Sequence, residues 1–150
     1  MSDTVTAVAQ IRLDQVNLVV RDVAASRAFY AKLGVDFGVQ DDPVWSRHHV
    51  SAVQQPGTAD LDLDSVSFAA HWDEGWPGGT GVVIGFKVET RQAVDDLVAA
   101  MAADGATVQQ PPWDAFWGAR YAVVSDPDGN GVGIMSPVDP ARRSEPPDPG

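Results

Sequence analysis

The segment IRLDQVNLVVRDVAASRAFYAKLG, residues 11–34, decides the fold because a strand and a helix follow one another in it. Residues 11–20 are rich in Val, Leu and Ile, which predicts a β-strand. Asp22 is a residue type that caps helix N-termini, and Gly34 is typical of a helix end, so residues 23–33 are predicted to be helical. The large side chains of that helix are expected to share one face: Phe29, Tyr30 and Leu33.

The same strand–helix unit occurs again 68 residues further along the chain. Residues 81–89, GVVIGFKVE, predict a strand, and Thr90 is the expected cap of a helix that runs to about residue 104. The apolar positions of this helix follow the i, i+3, i+4, i+7 pattern: Val94, Leu97, Val98 and Met101. At the offset of 68, Val16 corresponds to Ile84 and Leu18 to Phe86.

Further strands are predicted after each helix, at residues 48–53 and 66–72 in the first half and at 121–125 and 131–135 in the second. Each half is therefore interpreted as β-α-β-β-β, and an internal repeat is strong guidance to a fold. One helix per unit among mixed strands favours an α+β fold with the helices packed on one face of the sheet.

Composition limits the class of protein. The chain has 150 residues with 44% hydrophobic and 21% charged residues, which is normal for one globular domain. It has no cysteine, so disulfides and thiolate metal sites are excluded. The N-terminal MSDTVTAVAQ lacks the features of a signal peptide, and no apolar run approaches the length of a membrane span, so we expect a cytoplasmic protein.

Charge limits the partners. The net charge of −11 would repel a phosphate backbone and an anionic membrane surface, so neither nucleic acid nor membrane is an expected partner. A negative field attracts cationic small molecules, although it also serves solubility alone. The ends, residues 1–10 and the proline-rich 139–150, are predicted to be disordered because they contain few bulky apolar residues.

The paired halves resemble the vicinal oxygen chelate superfamily, which includes lactoylglutathione lyases, extradiol dioxygenases and bleomycin-resistance proteins. The residues that carry the resemblance are VNLVVRDVAASRAFYAKLG at 16–34, VVSDPDGNGVGIMSP at 123–137 and the element Trp117-Gly118-x-Arg120. The resemblance covers one domain, 11–138, with modules 11–74 and 81–138. It implies an incompletely closed, cup-shaped mixed sheet with helices outside, in a homodimer.

The enzymes of that superfamily hold a divalent metal by four side chains, one on each of four strands. By resemblance, the corresponding positions here are Gln15, about Ser67, Val83 and Gly133. Of these we expect only Gln15 to coordinate, and one neutral amide cannot hold a metal. We therefore predict no metal and no cofactor.

Other chemical motifs are weak. The histidines His48, His49 and His71 have no ligand-like spacing and are interpreted as surface or packing residues. The alternating Asp60, Asp62 and Asp64 are interpreted as a solvated strand edge. No phosphate-binding glycine loop is present, and no Ser-His-Asp group is visible from spacing.

Aromatic residues supply the candidate binding site. Five tryptophans lie outside both predicted helices, and PPWDAFWG at 111–118 is predicted to be an aromatic loop that contacts a planar ligand or packs in the core. Strand parity places Gln15 and Asn17 inside the cup. Arg47 and Arg120 each follow a tryptophan and are predicted to bind ligand carbonyls, the alternative being surface salt bridges. The predicted ligand-binding residues are Gln15, Asn17, Trp45, Arg47, Trp72, Trp113, Phe116, Trp117 and Arg120.

Three functions remain open from the sequence. The first is a non-catalytic protein that sequesters an aromatic or cationic compound, such as an antibiotic, as bleomycin-resistance proteins do. The second is a metal-dependent lyase, isomerase or dioxygenase with non-standard ligands. The third is a structural or regulatory dimer without a small ligand. The first is the one that the resemblance and the aromatic residues favour.

Overall fold

The structure is a computed structural model that describes residues 11–39 and 42–148. It contains seven strands and three α-helices within those residues. The strands are β1 Arg12–Val20, β2 His49–Ser51, β3 Asp60–Ser65, β4 Gly81–Lys87, β5 Val108–Asp114, β6 Arg120–Ser125 and β7 Gly131–Met135. The helices are α1 Val23–Ala31, α2 Val66–Trp72 and α3 Arg91–Ala103.

The strands form one mixed sheet in the order β2-β3-β1-β4-β7-β6-β5. β1 runs parallel to β3 and β4 runs parallel to β7, while β1 and β4 pair antiparallel and join the two halves. The sheet does not close, and the α+β class predicted from the sequence is confirmed.

The helices begin where the sequence provides caps. The side chain of Asp22 accepts a hydrogen bond from the Ala25 amide at 3.0 Å, and that of Thr90 accepts one from the Ala93 amide at 3.0 Å. Each such bond satisfies an amide that the helix cannot satisfy itself and stabilises it by about 1 kcal/mol. Gly34 adopts φ +90°, a left-handed conformation that permits the turn after α1.

Helices α1 and α3 cover the outer face of the sheet. Val94 and Val98 of α3 pack on Ala122, Val124 and Ile134 of β6 and β7. Val23 at the start of α1 packs with Val50 and Leu63 of β2 and β3. Of the three residues predicted to share one face of this helix, Tyr30 packs against the same cluster, but Phe29 is 58% exposed and Leu33, which lies beyond the end of α1, is 72% exposed.

The outer face of β4 lies between those two helices and stays exposed. Val82 and Ile84 are 49% and 39% exposed, and Leu13 on the neighbouring β1 is 53% exposed. We call these three residues the outer stripe. They are apolar side chains at the centre of the sheet that neither helix covers.

Helix α2 was not predicted, and it lies on the inner face of the sheet. Residues 66–72 were expected to be a strand, but Val66–Trp72 is helical and the strand is Asp60–Ser65. The side chain of Ser65 accepts a hydrogen bond from the Phe68 amide at 3.1 Å, which caps the helix. Phe68 and Trp72, four positions apart, then pack into the inner core together with Val83 and Tyr121.

The aromatic segment at 111–118 is also not a loop throughout. Pro111, Pro112 and Trp113 belong to β5, the last strand of the sheet, and only residues 115–119 form a turn. The ladder between β5 and β6 shifts register on both sides of Gln110. Proline is tolerated here because an edge strand need not donate all of its amide groups.

The residues after β7 make specific contacts that their composition did not predict. A short 3₁₀ turn, Pro140–Arg142, follows Asp139, whose amide donates to the Gly118 carbonyl at 3.0 Å. The Ser144 amide donates to the Phe116 carbonyl at 2.9 Å.

Among the described residues, no helix is both long and apolar enough to span a bilayer.

Candidate functional site

A cavity of about 510 Å³ opens on the inner face of the sheet. This volume is in the range of small-molecule sites. One part of its lining is aromatic, the aromatic wall: Trp45, Phe68, Trp72, Phe116, Trp117 and Tyr121. The other part is polar, the polar bed: Gln15, Asn17, His49, Ser51, Asp62 and Asp64. Met135 and Arg143 complete the lining.

The aromatic wall is a continuous series of ring contacts. Trp45 meets Phe68 edge to face with ring centroids 5.0 Å apart, and Phe68 is followed by Phe116 at 5.9 Å. Phe116 then meets Trp117 at 5.0 Å, and Trp117 meets Tyr121 at 5.2 Å. Edge-to-face packing of this kind fixes ring orientation. The wall therefore presents aromatic edges and faces from both halves of the chain.

The polar bed centres on the carboxylate of Asp64, which is 1% exposed. His49 Nδ1 lies 2.5 Å from Asp64 Oδ1, and Asn17 Nδ2 donates to Asp64 Oδ2 at 2.6 Å. The amide of Gln15 donates in turn to Asn17 Oδ1. These bonds satisfy both oxygens of a buried charge, as burial requires.

The sequence interpretation of Asp62 and Asp64 as a solvated strand edge is wrong. The two-residue spacing correctly predicted that both side chains share one face of β3. However, the side chain of Asp62 is only 8% exposed. β3 lies inside the sheet, between β2 and β1, and Asp62 and Asp64 belong to the cavity lining. The carboxylates therefore face the cavity and not bulk solvent.

Burial and charge perturb two groups of the polar bed. Burial alone would lower the pKa of His49, but the charge of Asp64, its hydrogen bond and the charge of Asp62 outweigh that effect and raise the pKa to about 9. Burial raises the pKa of Asp62 to about 6, although the nearby His49 charge opposes the rise. At pH 7 His49 is thus protonated and Asp62 is mostly ionised, which leaves the bed with one excess negative charge.

Ser51, His49 and Asp64 have the connectivity of a serine nucleophile, its base and an orienting acid. Ser51 Oγ lies 3.1 Å from His49 Nε2, and the other ring nitrogen contacts Asp64. However, a protonated imidazole donates from both nitrogens and has no lone pair to accept the serine proton. The Ser51 hydroxyl also hydrogen-bonds the carboxylate of Asp62. At neutral pH the three groups form an ion network and not a nucleophile.

The positions that the resemblance implies for a metal do not fit one. A Cβ at Gly133 would lie 2.8 Å from Tyr121 Oη, so a tyrosine fills the space beside this position. Val83 is buried and apolar. Ser67 is on α2, not on a strand, and its Oγ lies 3.2 Å from Ser65 Oγ.

Strand register identifies Asp62 as the first-half counterpart of Gly133. Asn17 pairs with Asp62 in β3, and Gly85, 68 residues after Asn17, pairs with Gly133 in β7. The expectation of Ser67 is therefore corrected to Asp62. Even so, Val83 and Gly133 offer no side-chain donor, and residues 11–39 and 42–148 contain no group of three or more His, Cys, Asp or Glu able to hold a metal ion.

Six of the nine predicted ligand-binding residues line the cavity: Gln15, Asn17, Trp45, Trp72, Phe116 and Trp117. The other three do not. Trp113 packs edge to face against Trp117 at 5.9 Å, outside the lining. Arg47 is exposed. Arg120 forms ion pairs with Asp95 at 3.0 Å and Asp114 at 3.3 Å, which is the alternative that the sequence left open.

The predicted set of nine did not include the other lining residues: His49, Ser51, Asp62, Asp64, Phe68, Tyr121, Met135 and Arg143. For Asp62 and Asp64 a signal existed, namely the two-residue period of the aspartates on β3. The other two histidines are outside the lining: His48 Nδ1 bonds Ser65 Oγ at 2.8 Å, and His71 is exposed.

The chain folds into two related halves around one cavity. The sequence model of the Glyoxalase/Bleomycin resistance protein/Dioxygenase superfamily matches its residues 12–134. The chain is therefore a member of that superfamily. No curated protein matches it.

Solved structures share the fold at low identity. The Mn(II)-bound glyoxalase from Novosphingobium aromaticivorans is 22% identical with a TM-score of 0.56, over 83% of this chain and 38% of that one. An extradiol ring-cleaving dioxygenase from B. fuscum is 22% identical with a TM-score of 0.58, over 85% and 33%. A superfamily member from Vibrio splendidus 12B01 is 19% identical with a TM-score of 0.56, over 85% and 99%. The chain thus spans about a third of the first two proteins.

Proposed function

We propose that the protein binds a small molecule that carries an aromatic ring and a cationic group, and holds it without catalysis. The observation that carries this proposal is the division of one cavity into an aromatic wall and a buried, acidic polar bed. An antibiotic with these two features would be sequestered by such a site.

The aromatic wall supports binding of a planar ring. Phe116 and Trp117 are half-buried, so part of each ring remains for a ligand. Their edge-to-face packing fixes them in place, which lowers the entropy lost when a ligand binds. A ring that stacks in a desolvated site of this kind contributes about 1–3 kcal/mol of binding.

The polar bed supports a cation on the ligand. With His49 protonated, the two carboxylates leave the polar bed, although not the whole lining, with one net negative charge. A buried charge attracts an ammonium group more strongly than an exposed one, because water screens it less. The net charge of −11 on the whole chain favours the approach of a cation.

Two observations on residues support binding without chemistry. Val83 and Gly133 give no donors at the positions where the superfamily's enzymes hold their metal, and Tyr121 fills the space beside Gly133. The one histidine among the described lining residues, His49, contacts Asp64 and Ser51 through its two ring nitrogens, and its raised pKa of about 9 keeps it protonated at neutral pH, so it does not serve as a base.

A matched pair of probes tests this proposal: 2-naphthylmethylamine, a cation at pH 7, and the neutral 2-naphthylmethanol. Titration calorimetry should show binding of both, with the amine the tighter. Asp62→Asn should remove the preference for the amine, whereas Asp60→Asn, a change on the same strand outside the lining, should keep it. Binding of neither probe would contradict the proposal.

The aromatic wall is tested separately. Trp117→Ala should weaken both naphthalenes about five- to hundredfold, since each loses the same ring contact. Trp113→Leu is the control, because Trp113 packs beside Trp117 without lining the cavity. If Trp117→Ala does not fold, Trp117→Leu serves in its place. Unchanged affinity in a folded variant at position 117 would show that the wall is only packing.

A competing function, a metal-dependent lyase, isomerase or dioxygenase, is favoured by one observation. Gln15 and Asp62 both provide oxygen donors at positions that correspond to metal ligands. With only two protein donors, water or substrate would have to supply the remaining ligands of the metal. Such a site would bind a resident ion only weakly. We therefore rank this function second.

We also propose that the chain forms a homodimer through the outer stripe. Leu13, Val82 and Ile84 are exposed apolar residues at the centre of the sheet, where the two related halves meet along β1 and β4. A two-fold interface places the same patch of each chain against its copy, and the outer stripe can meet itself in this way because its three side chains are apolar and carry no like charges to repel one another. Light scattering should give about twice 15.9 kDa for the native chain, one chain mass for Ile84→Arg, and a dimer for the control Val53→Glu. A monomeric native chain would contradict this.

A further inference from the structure

We propose that the C-terminal segment 139–144 is part of the binding site, and that Arg143 recognises a carboxylate on the bound molecule. This inference rests on the proposed function, because it names a second group of the same ligand. The segment lies beyond residue 134, where the match to the superfamily ends.

The segment is fastened to the turn that supplies Phe116 and Trp117. The Asp139 amide donates to the Gly118 carbonyl at 3.0 Å, and the Ser144 amide donates to the Phe116 carbonyl at 2.9 Å. Gly118 has φ +101°, and a Cβ there would lie 2.5 Å from the Asp139 carbonyl oxygen. Only glycine permits this approach, so the contact depends on a particular residue in the turn.

Arg143 is held at the cavity by the same turn. Its Nε donates to the Trp117 carbonyl at 3.3 Å, and the side chain belongs to the cavity lining. Among the described residues no hydrogen bond or ion pair uses its terminal N–H groups, so these groups are available to a bound molecule. Paired N–H groups in one plane match the two oxygens of a carboxylate.

The charge distribution of the lining assigns the carboxylate to one end of the ligand. Arg143 is the one Arg or Lys among the described lining residues, and it is bonded to the aromatic turn. Asp62 and Asp64 belong to the polar bed on β3, in the other half of the chain. A molecule with an aromatic middle, an ammonium group and a carboxylate would satisfy all three parts of the cavity.

Arg143 has a rival role, which is to fasten the tail without touching a ligand. The two roles differ in one measurable property. A fastening role affects all ligands of the cavity alike, whereas recognition affects only ligands that carry the acidic group. The experiment therefore compares 2-naphthylacetate with 2-naphthylacetamide, which share the ring and differ in charge.

Titration calorimetry on the full chain should show roughly tenfold tighter binding of 2-naphthylacetate than of the acetamide, the size expected for a charge-assisted bond. Arg143→Met should remove this preference and change acetamide binding less than twofold, while Arg143→Lys should keep part of it. Arg142→Met is the matched control and should leave the preference intact, since Arg142 pairs with Asp139 and does not line the cavity.

Ser144→Pro provides a variant that retains the arginine. It deletes the N–H that donates to Phe116, and the residue before it, Arg143, already has φ −67° and ψ 142°, which suits a position before proline. We expect a reduced preference for the carboxylate. Equal binding of the two probes by the native chain, or a preference that survives in Arg143→Met, would overturn the inference alone. Failure of both probes to bind would overturn the proposed function with it.

Discussion

Replacing His49 should change how the stability of the protein depends on pH. His49 Nδ1 lies 2.5 Å from the buried Asp64 carboxylate, and the pKa of His49 is raised from 6.5 to about 9. The folded protein therefore keeps a proton that the unfolded chain releases. The stabilisation is fully present below pH 6.5 and is lost as the pH rises through 9.

The size of the effect follows from the shift. One pKa unit is about 1.4 kcal/mol, so a rise from 6.5 to about 9 corresponds to about 3 kcal/mol of unfolding free energy. We expect the free energy of unfolding to fall by about 2–3 kcal/mol between pH 6.5 and pH 9.5. The titration of Asp62 does not overlap this pH range. Its pKa is raised to about 6, so its effect, a loss of stability with rising pH, falls between about pH 4 and pH 6.

The assay is urea unfolding followed by tryptophan fluorescence at pH 6.5, 7.5, 8.5 and 9.5 at one ionic strength. His49→Gln should be less stable than the native chain at pH 6.5 and should show no fall across the window. His71→Gln is the matched control, because His71 is exposed on α2, and it should follow the native curve. An equal fall in the native chain and in His49→Gln would refute the reasoning.

Three further results are expected. Gly133→Ala should lower the unfolding free energy, measured by urea unfolding, by about 1–3 kcal/mol, because the added Cβ would lie 2.8 Å from Tyr121 Oη. Adding Tyr121→Phe to this variant should restore part of the lost stability. If Gly133→Ala loses no stability, Tyr121 moves freely and the reasoning is wrong. Elemental analysis after incubation with manganese, nickel or zinc should find well under one metal per chain; a stoichiometric metal that Gln15→Ala removes would contradict this. Affinity for 2-naphthylmethylamine should fall below about pH 6 as Asp62, whose pKa is about 6, becomes neutral, and Asp62→Asn should abolish that dependence.

Most of the fold could be predicted because its signals are local. Asp22 and Thr90 cap their helices as the sequence indicated, and strand Gly131–Met135 was predicted to the residue. Helix α2 was missed because Val66–Trp72 contains residue types that also favour strands. Its helical state depends on the Ser65 cap and on packing against the inner face, and periodicity over seven residues does not show that packing.

The site was predictable only in part, for the same reason. The aromatic wall follows from composition, since Trp45, Trp72, Phe116 and Trp117 stand out in the sequence and line the cavity. The polar bed depends on the position of β3 inside the sheet, which is a long-range pairing. Arg143 depends on the contact between Gly118 and the tail, and nothing near it in the sequence indicates that contact.

The prolines of β5 have a consequence for how the sheet ends. β5 and β2 are the outermost of the described strands, and an open strand edge is a template on which another chain can add a strand and begin an aggregate. Pro111 and Pro112 carry no N–H, so β5 has no amide donor at these two positions, and β2 limits the other edge to three residues. Both ends of the open sheet are thus poor templates for the addition of a further strand.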